Sequence, residues 1–105
     1  MRKGVLELCV LRLLQHGEAY PSDIIRALSE ADLIVVEGTI YTLLNRLRRE
    51  GKLDYDWRES RQGPPRKYFV LTPLGLETLE AMNEAWREIE RTVNHFSDPN
   101  QSNDR

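Results

Sequence analysis

The fold is decided by residues 37–50, which read EGTIYTLLNRLRRE. Aliphatic side chains recur here at i, i+3, i+4 and i+7, the spacing of an amphipathic α-helix; they are Ile40, Leu43, Leu44 and Leu47. Gly51 follows and suits the position just after a helix end. The stretch therefore predicts a helix with one apolar face.

The opposite face of this helix carries side chains of the kinds that bind DNA. Arginine forks onto guanine and asparagine onto adenine, whereas threonine and tyrosine reach a phosphate or a thymine methyl group. No acid lies at the centre of the face, and Glu50 is at its far end. A merely solvated helix more often mixes glutamate with lysine. We therefore expect a reading helix for the major groove, with contacts from Thr39, Tyr41, Thr42, Asn45, Arg46 and Arg49.

Two further helices are predicted before it. Residues 5–15 are apolar around most of the helical circumference, so this helix should be buried on more than one side. Pro21 suits a first helical position and begins a shorter helix over 21–30. Residues 31–36 connect it to the reading helix.

Two alternating segments, residues 53–59 and 66–71, predict an antiparallel hairpin. The glycine- and proline-containing segment 60–65 between them predicts a tip that is not of the tight two-residue type. Cations flank this tip, and on a wing they would lie along the DNA backbone or enter the minor groove; they are Arg61, Arg66 and Lys67. A solubilising loop is the alternative interpretation.

A last helix is predicted over 73–96, with Thr72 as its N-cap and Pro73 at its first position. Its apolar residues are spaced alternately by three and four, which is a heptad seam; they are Leu79, Met82, Trp86, Ile89, Val93 and Phe96. The preceding domain is too small to bury the whole seam, so a second copy should cover it and form a homodimer. Packing onto the first helix is the alternative, and both arrangements are expected in part.

The predicted architecture is mainly α with a small β-hairpin. Residues 1–72 form a winged helix-turn-helix DNA-binding domain, residues 73–96 a C-terminal dimerisation helix, and residues 97–105 a polar, disordered tail. A homodimer of this kind would place two reading helices about one DNA turn apart, as a palindromic operator requires.

Composition agrees with a single soluble domain. The chain has 105 residues and a net charge of −2, but residues 45–67 are rich in arginine and lysine whereas residues 73–105 are acidic. One cysteine, no membrane-length apolar run and no signal-peptide pattern favour the cytoplasm. No nucleophile–base pair, phosphate loop, metal cluster or cofactor motif is present, so we expect neither an enzyme nor a cofactor.

Three runs of the sequence resemble the PadR family of transcriptional regulators: residues 6–11 (LELCVL), 37–47 (EGTIYTLLNRL) and 63–75 (GPPRKYFVLTPLG). Trp57 and Trp86 extend the similarity to nearly everything except the tail, and the short C-terminal segment is similar to the compact branch that includes multidrug-sensing repressors. The resemblance implies a homodimeric repressor that a small molecule releases from its operator. In the multidrug-sensing members a tryptophan at the place of Trp86 lines a cavity for flat ligands between the subunits, which implies a planar aromatic ligand here. Leu8, Cys9 and Arg12 on the first helix are candidates for the walls of such a site.

Two other functions are compatible with this pattern. A winged helix can serve as a protein-interaction module, although such modules usually lose the cations of the third helix and the wing. A sensor that sequesters its ligand, with little DNA binding, is the second alternative.

Overall fold

The computed structural model describes residues 2–97, with side chains from residue 4 onward. Four helices and one hairpin follow in the order α1 (Arg2–Gln15), α2 (Pro21–Glu30), α3 (Glu37–Arg49), β1 (Leu53–Ser60), β2 (Gly63–Leu71) and α4 (Pro73–Ser97). The predicted winged helix-turn-helix with a long C-terminal helix is confirmed. The tail predicted over 97–105 lies outside the described residues, apart from Ser97, which ends α4.

One hydrophobic core joins all of these elements. The apolar faces of the first three helices meet the base of the hairpin and the first turns of α4, and burial of this surface drives the fold. Its largest fully buried side chains include Leu11, Ile24, Ile40, Leu44, Phe69 and Leu79. Phe69 also ties the hairpin to the loop before α2, because its backbone exchanges hydrogen bonds with Ala19 at 2.8 and 3.1 Å.

The helix starts and ends differ slightly from the predictions. α1 begins at Arg2 instead of Val5, since arginine and lysine are good helix formers and no proline or cap precedes Val5. α3 ends at Arg49 with Glu50 as its C-cap. Gly51 then adopts φ +81°, a left-handed conformation that favours glycine.

The hairpin tip contradicts the prediction of a longer loop. Ser60 pairs with Gly63, so only Arg61 and Gln62 form the turn. Gly63 has φ +150°, which an L side chain rarely adopts, and this allows the chain to reverse within two residues. The prolines at 64 and 65 lie inside β2 where the register shifts between Arg58 and Ser60, an irregularity that tolerates residues without an N–H group.

Thr72 and Gly75 fix the start of α4 against the end of α3. The Thr72 hydroxyl accepts a hydrogen bond from the Gly75 N–H at 3.0 Å and donates one to the Gly51 carbonyl oxygen at 2.6 Å. A Cβ atom on Gly75 would overlap the carbonyl oxygen of Lys52. The close approach of α4 to this loop therefore requires glycine at position 75.

The two halves of α4 have different surroundings. Leu79 is buried within the chain, and Met82 and Trp86 are half-buried against the core. Farther along, Ile89 is 50% exposed and Phe96 is 77% exposed. No helix within residues 2–97 is both long enough and apolar enough to cross a membrane.

Candidate nucleic-acid interface

The outer face of α3 is polar, and the core beneath it holds the helix in place. Four aliphatic side chains anchor the helix from below: Ile40, Leu43, Leu44 and Leu47. Five of the predicted contact residues are exposed on the other side, namely Thr39, Tyr41, Thr42, Asn45 and Arg49. Within the described part of the chain, Asn45 and Arg49 make no side-chain hydrogen bond or ion pair. Their donors and acceptors therefore face solvent.

Arg46, the sixth predicted contact, is held at the side of this face. Its Nη2 donates to Glu7 Oε1 of α1 at 2.9 Å, and its Nη1 donates to Glu50 Oε2 at 3.0 Å. Lys52 Nζ lies 3.0 Å from Glu50 Oε1 and 3.9 Å from Glu7 Oε2. We call Glu7, Arg46, Glu50 and Lys52 the Arg46 cluster.

The cluster changes the acidity of two of its members. Hydrogen bonding to Glu7, and then to Glu50, raises the pKa of Arg46 above its usual value. The ammonium of Lys52, followed by the guanidinium of Arg46, lowers the pKa of Glu50. The role of Glu7 is not predicted by the sequence, because its partner Arg46 is 39 residues away. The one local signal is a single acid within a mostly apolar stretch of the first helix.

The three predicted wing cations occupy different places. Arg61 lies in the turn and is exposed. The guanidinium of Arg66 stacks 3.9 Å from the ring centroid of Tyr20 and donates to Ser22 Oγ at 2.8 Å, which ties the hairpin to the start of α2. Lys67 is paired across the strands with Trp57 instead of flanking the tip.

Tyr55 on β1 connects α3 to the hairpin, a role that the sequence does not predict. The Tyr55 ring on β1 is approached by Arg48 from the end of α3, at 4.6 Å, and by Lys67 Nζ from β2, at 4.2 Å. Trp57, 59% exposed, packs edge-on against Tyr55 at 6.2 Å. Alternation along β1 places Tyr55 and Trp57 on one face, but does not indicate which helix residue they meet.

Arg58 braces the other side of the hairpin. It donates two hydrogen bonds to Glu18, at 2.8 and 2.9 Å, and lies 4.1 Å from the ring centroid of Tyr68. Hydrogen bonding to Glu18 is the main cause that raises the pKa of Arg58. Arg58 and Arg66 are cross-strand partners, and both connect the hairpin to the loop and helix before α3.

The residues predicted for a ligand site are brought together only in part. Leu8 of α1 and Trp86 of α4 line the same apolar groove of about 220 Å³, together with Gly4, Val5, Met82, Ala85 and Ile89. Cys9 packs half-buried against the core, and Arg12 Nε donates to Asn83 Oδ1 at 2.8 Å. Neither Cys9 nor Arg12 lines the groove.

The predicted dimer seam is likewise divided. Leu79 belongs to the core of its own chain and offers no surface to a second copy. Met82 and Trp86 are partly exposed. The seam residues nearer the C-terminal end of α4 are exposed; they are Ile89, Val93 and Phe96.

Comparison with known proteins identifies relatives for most of the chain. Residues 10–81 match the family described as the transcriptional regulator PadR-like family. A solved PadR-like transcription factor from Bacteroides fragilis is 54% identical, covers 92% of this chain and 94% of its own, and superimposes with a TM-score of 0.82. A Streptococcus transcriptional regulator is 38% identical (91% and 95% covered, TM-score 0.80). A PadR-like transcriptional regulator from Bacillus cereus is 36% identical (89% and 91% covered, TM-score 0.78).

Proposed function

The chain belongs to the PadR-like family of transcriptional regulators, and on that premise we propose that it is a ligand-responsive repressor that binds an inverted-repeat operator as a homodimer. That it is a DNA-binding transcriptional regulator, and not an enzyme, follows from the family. We propose in addition that α3 and the wing contact the operator, that two copies form a dimer, and that a ligand controls DNA binding.

The exposed face of α3 is the observation that carries the proposal. Thr42, Asn45 and Arg49 project from a helix whose opposite face is fixed in the core. Rigid presentation of such groups is what base readout in a major groove needs. We assign sequence readout to these three residues and to Arg46, with Thr39 and Tyr41 at the sides of the contact.

The hairpin supplies contacts to the DNA backbone. Arg61 is exposed at the turn, whereas Lys67 and Arg66 lie along the body of the hairpin and are held by aromatic rings. Cations on a wing neutralise phosphates and add affinity for every sequence. We therefore assign affinity more than specificity to Arg61, Arg66 and Lys67.

The outer half of α4 supports a homodimer. A helix of 25 residues is about 37 Å long, and its exposed apolar residues recur at heptad spacing beyond the point where α1 covers it. Such an apolar stripe on a small soluble domain is typical of an interface. We propose that Met82, Trp86, Ile89, Val93 and Phe96 pack against a second copy.

The groove between Leu8 and Trp86 is the proposed ligand site. Its lining is almost entirely apolar, and Ile89 belongs both to the groove and to the proposed dimer seam. A planar aromatic molecule stacked on the indole of Trp86 would therefore be bound next to the subunit contact, where it would change the separation of the reading helices and release the operator. Apolar pockets with a few polar groups are the usual form of small-molecule sites.

A salt titration tests DNA binding directly. We expect a labelled pool of random duplexes to bind, and the affinity to fall by about a thousandfold between roughly 50 and 200 mM salt if several phosphates are contacted. The Arg61→Ala variant should bind more weakly than the parent at each salt concentration and show a shallower slope. Absence of binding at low salt, in a folded protein, would contradict the proposal and favour a protein-interaction module.

A further inference from the structure

The Glu7 carboxylate faces α3 and has little access to solvent. Its side chain is 14% exposed, and Oε1 accepts the 2.9 Å hydrogen bond from Nη2 of Arg46. On the other side of the same guanidinium, Glu50 Oε2 accepts from Nη1 at 3.0 Å. Two carboxylates from two different elements therefore hold one arginine of the DNA-facing helix.

The Arg46 cluster contains two acids and two bases, so its formal charges cancel at neutral pH. Arg46 is therefore unlike Arg49, which has no acidic partner among the described residues. A DNA phosphate meets the full charge of Arg49 at once. To bind Arg46, a phosphate must first displace the Glu7 carboxylate. Glu7 would then be a poorly solvated negative charge next to the negatively charged DNA.

We propose that Glu7 is a positioning residue that raises the sequence specificity of DNA binding by withholding Arg46 from the phosphates of non-operator DNA. The inference rests on the proposed function, because it concerns the face of α3 that meets DNA. Each terminal nitrogen of the Arg46 guanidinium carries two N–H groups, so it can donate to a guanine edge while Nη2 keeps its hydrogen bond to Glu7. A phosphate contact draws the guanidinium away from Glu7, so the ion pair disfavours non-operator duplexes and is retained on the operator.

The first test is the variant Glu7→Gln, which keeps the shape of the side chain and removes its charge. Affinity for a scrambled duplex should rise about five-fold, whereas affinity for the operator duplex should change less than about two-fold. One additional phosphate contact should also steepen the log–log salt slope on the scrambled duplex by about 0.9. Equal gains on the two duplexes, or no change on either, would overturn the proposal.

A double-variant cycle separates this contact from a general charge effect. Arg46→Met keeps the aliphatic stem of the side chain, and in that background Glu7→Gln should no longer change affinity for the scrambled duplex. Persistence of the effect would mean that Glu7 acts by its charge alone, which contradicts the proposal. Glu84→Gln is the matched control: it removes the same charge from an exposed pair with Arg87 on α4 and should leave both affinities unchanged.

A measurement on the unmodified protein makes the test independent of the folding of any variant. The ¹⁵N signals of the Arg46 guanidinium should show restricted rotation in the free protein, remain so with the scrambled duplex, and change on addition of the operator. A freely rotating guanidinium in the free protein would overturn the proposal. If the wild-type protein binds no duplex at all, the proposed function fails; if it binds but the Glu7 variant behaves identically, only the role of Glu7 fails.

Discussion

The guanidinium of Arg48, in the last turn of α3, lies 4.6 Å from the centre of the Tyr55 ring on β1. Lys67 from β2 approaches the same ring at 4.2 Å. The two elements proposed to contact DNA are therefore connected through one side chain. Since cations from both elements are attracted to its ring, Tyr55 fixes the position of the wing relative to the reading helix.

Replacing Tyr55 by leucine should lower DNA affinity by up to about ten-fold, because a wing no longer held by two cation–π contacts of roughly 0.5–1 kcal/mol each must be ordered when it binds DNA. The buried apolar volume is largely kept, so folding should persist. Fluorescence anisotropy with an operator duplex measures the affinity. Tyr55→Phe keeps the ring and should bind like the parent; equal losses in both variants would show that the hydroxyl, not the ring, is what matters.

Gly75→Ala should destabilise the fold by about 2–3 kcal/mol, because the added Cβ overlaps the Lys52 carbonyl oxygen and forces α4 away from the loop after α3. Urea unfolding followed by circular dichroism gives the free energy of unfolding. Gly38→Ala is the matched control on an exposed helical site with no neighbour within 4 Å, and it should stabilise α3 by up to about 1 kcal/mol. Similar effects of both substitutions would contradict the packing described for Gly75.

Ile89→Asp should convert the proposed dimer to monomer, because it places a charge in the centre of the proposed apolar seam. Sedimentation velocity detects the change in mass. Asn94→Asp introduces the same carboxylate one position beyond Val93 and should leave the dimer intact. A parent chain that sediments as a monomer, or an Ile89→Asp variant that remains dimeric, would be incompatible with the proposed interface.

Trp86 should report ligand binding by its own fluorescence. In the Trp57→Phe variant it is the remaining tryptophan, since the chain has two, and a planar tricyclic dye such as proflavine should quench it in a saturable manner. Leu8→Arg, on the opposite wall of the groove, should weaken the dye's affinity by about ten-fold or more. Unquenched emission in a folded dimer would contradict the ligand site, and quenching without any change in DNA affinity would favour a sequestering sensor.

Acid should open the Arg46 cluster. Because Lys52 and Arg46 lower the pKa of Glu50 in the folded protein, the stability it contributes is complete above the unfolded pKa of glutamate, about 4.3. That contribution is lost as the pH falls through the lower folded-state value. The difference in urea midpoint between the parent and Glu50→Gln should therefore be largest near neutral pH and shrink on acidification. A difference in urea midpoint that is the same at neutral and at acidic pH would contradict this role of Glu50.

Local patterns predict the helices well and the hairpin tip poorly. The apolar spacing of Ile40 to Leu47 and the proline at position 21 set the two central helices, because periodicity and capping act within a few residues. At the tip, the same glycine and prolines that indicate a loop are compatible with a two-residue turn followed by a bulge. Which of the two forms depends on the pairing of Ser60 with Gly63.

The contacts of the interface are harder to predict because they join distant segments. Arg46 lies on the polar side of a helical wheel, yet Glu7 of α1 holds it at 2.9 Å. Arg66 likewise meets Tyr20, far away in the sequence. In contrast, the exposure of Thr42, Asn45 and Arg49 follows from the wheel alone. Residue types thus indicate the surface, but the partners of its charges become visible only in three dimensions.

Selection of bound duplexes from random DNA tests the central claim most directly. A dimer that reads DNA with α3 should enrich an inverted repeat whose half-sites are centred about one helical turn, roughly 34 Å, or a multiple of it apart. Arg49→Ala should relax base choice within each half-site without changing their spacing. Recovery of unenriched sequences, or of a single unrepeated site that Arg49→Ala leaves unaltered, would contradict the assignment of α3 as the reading helix of a homodimer.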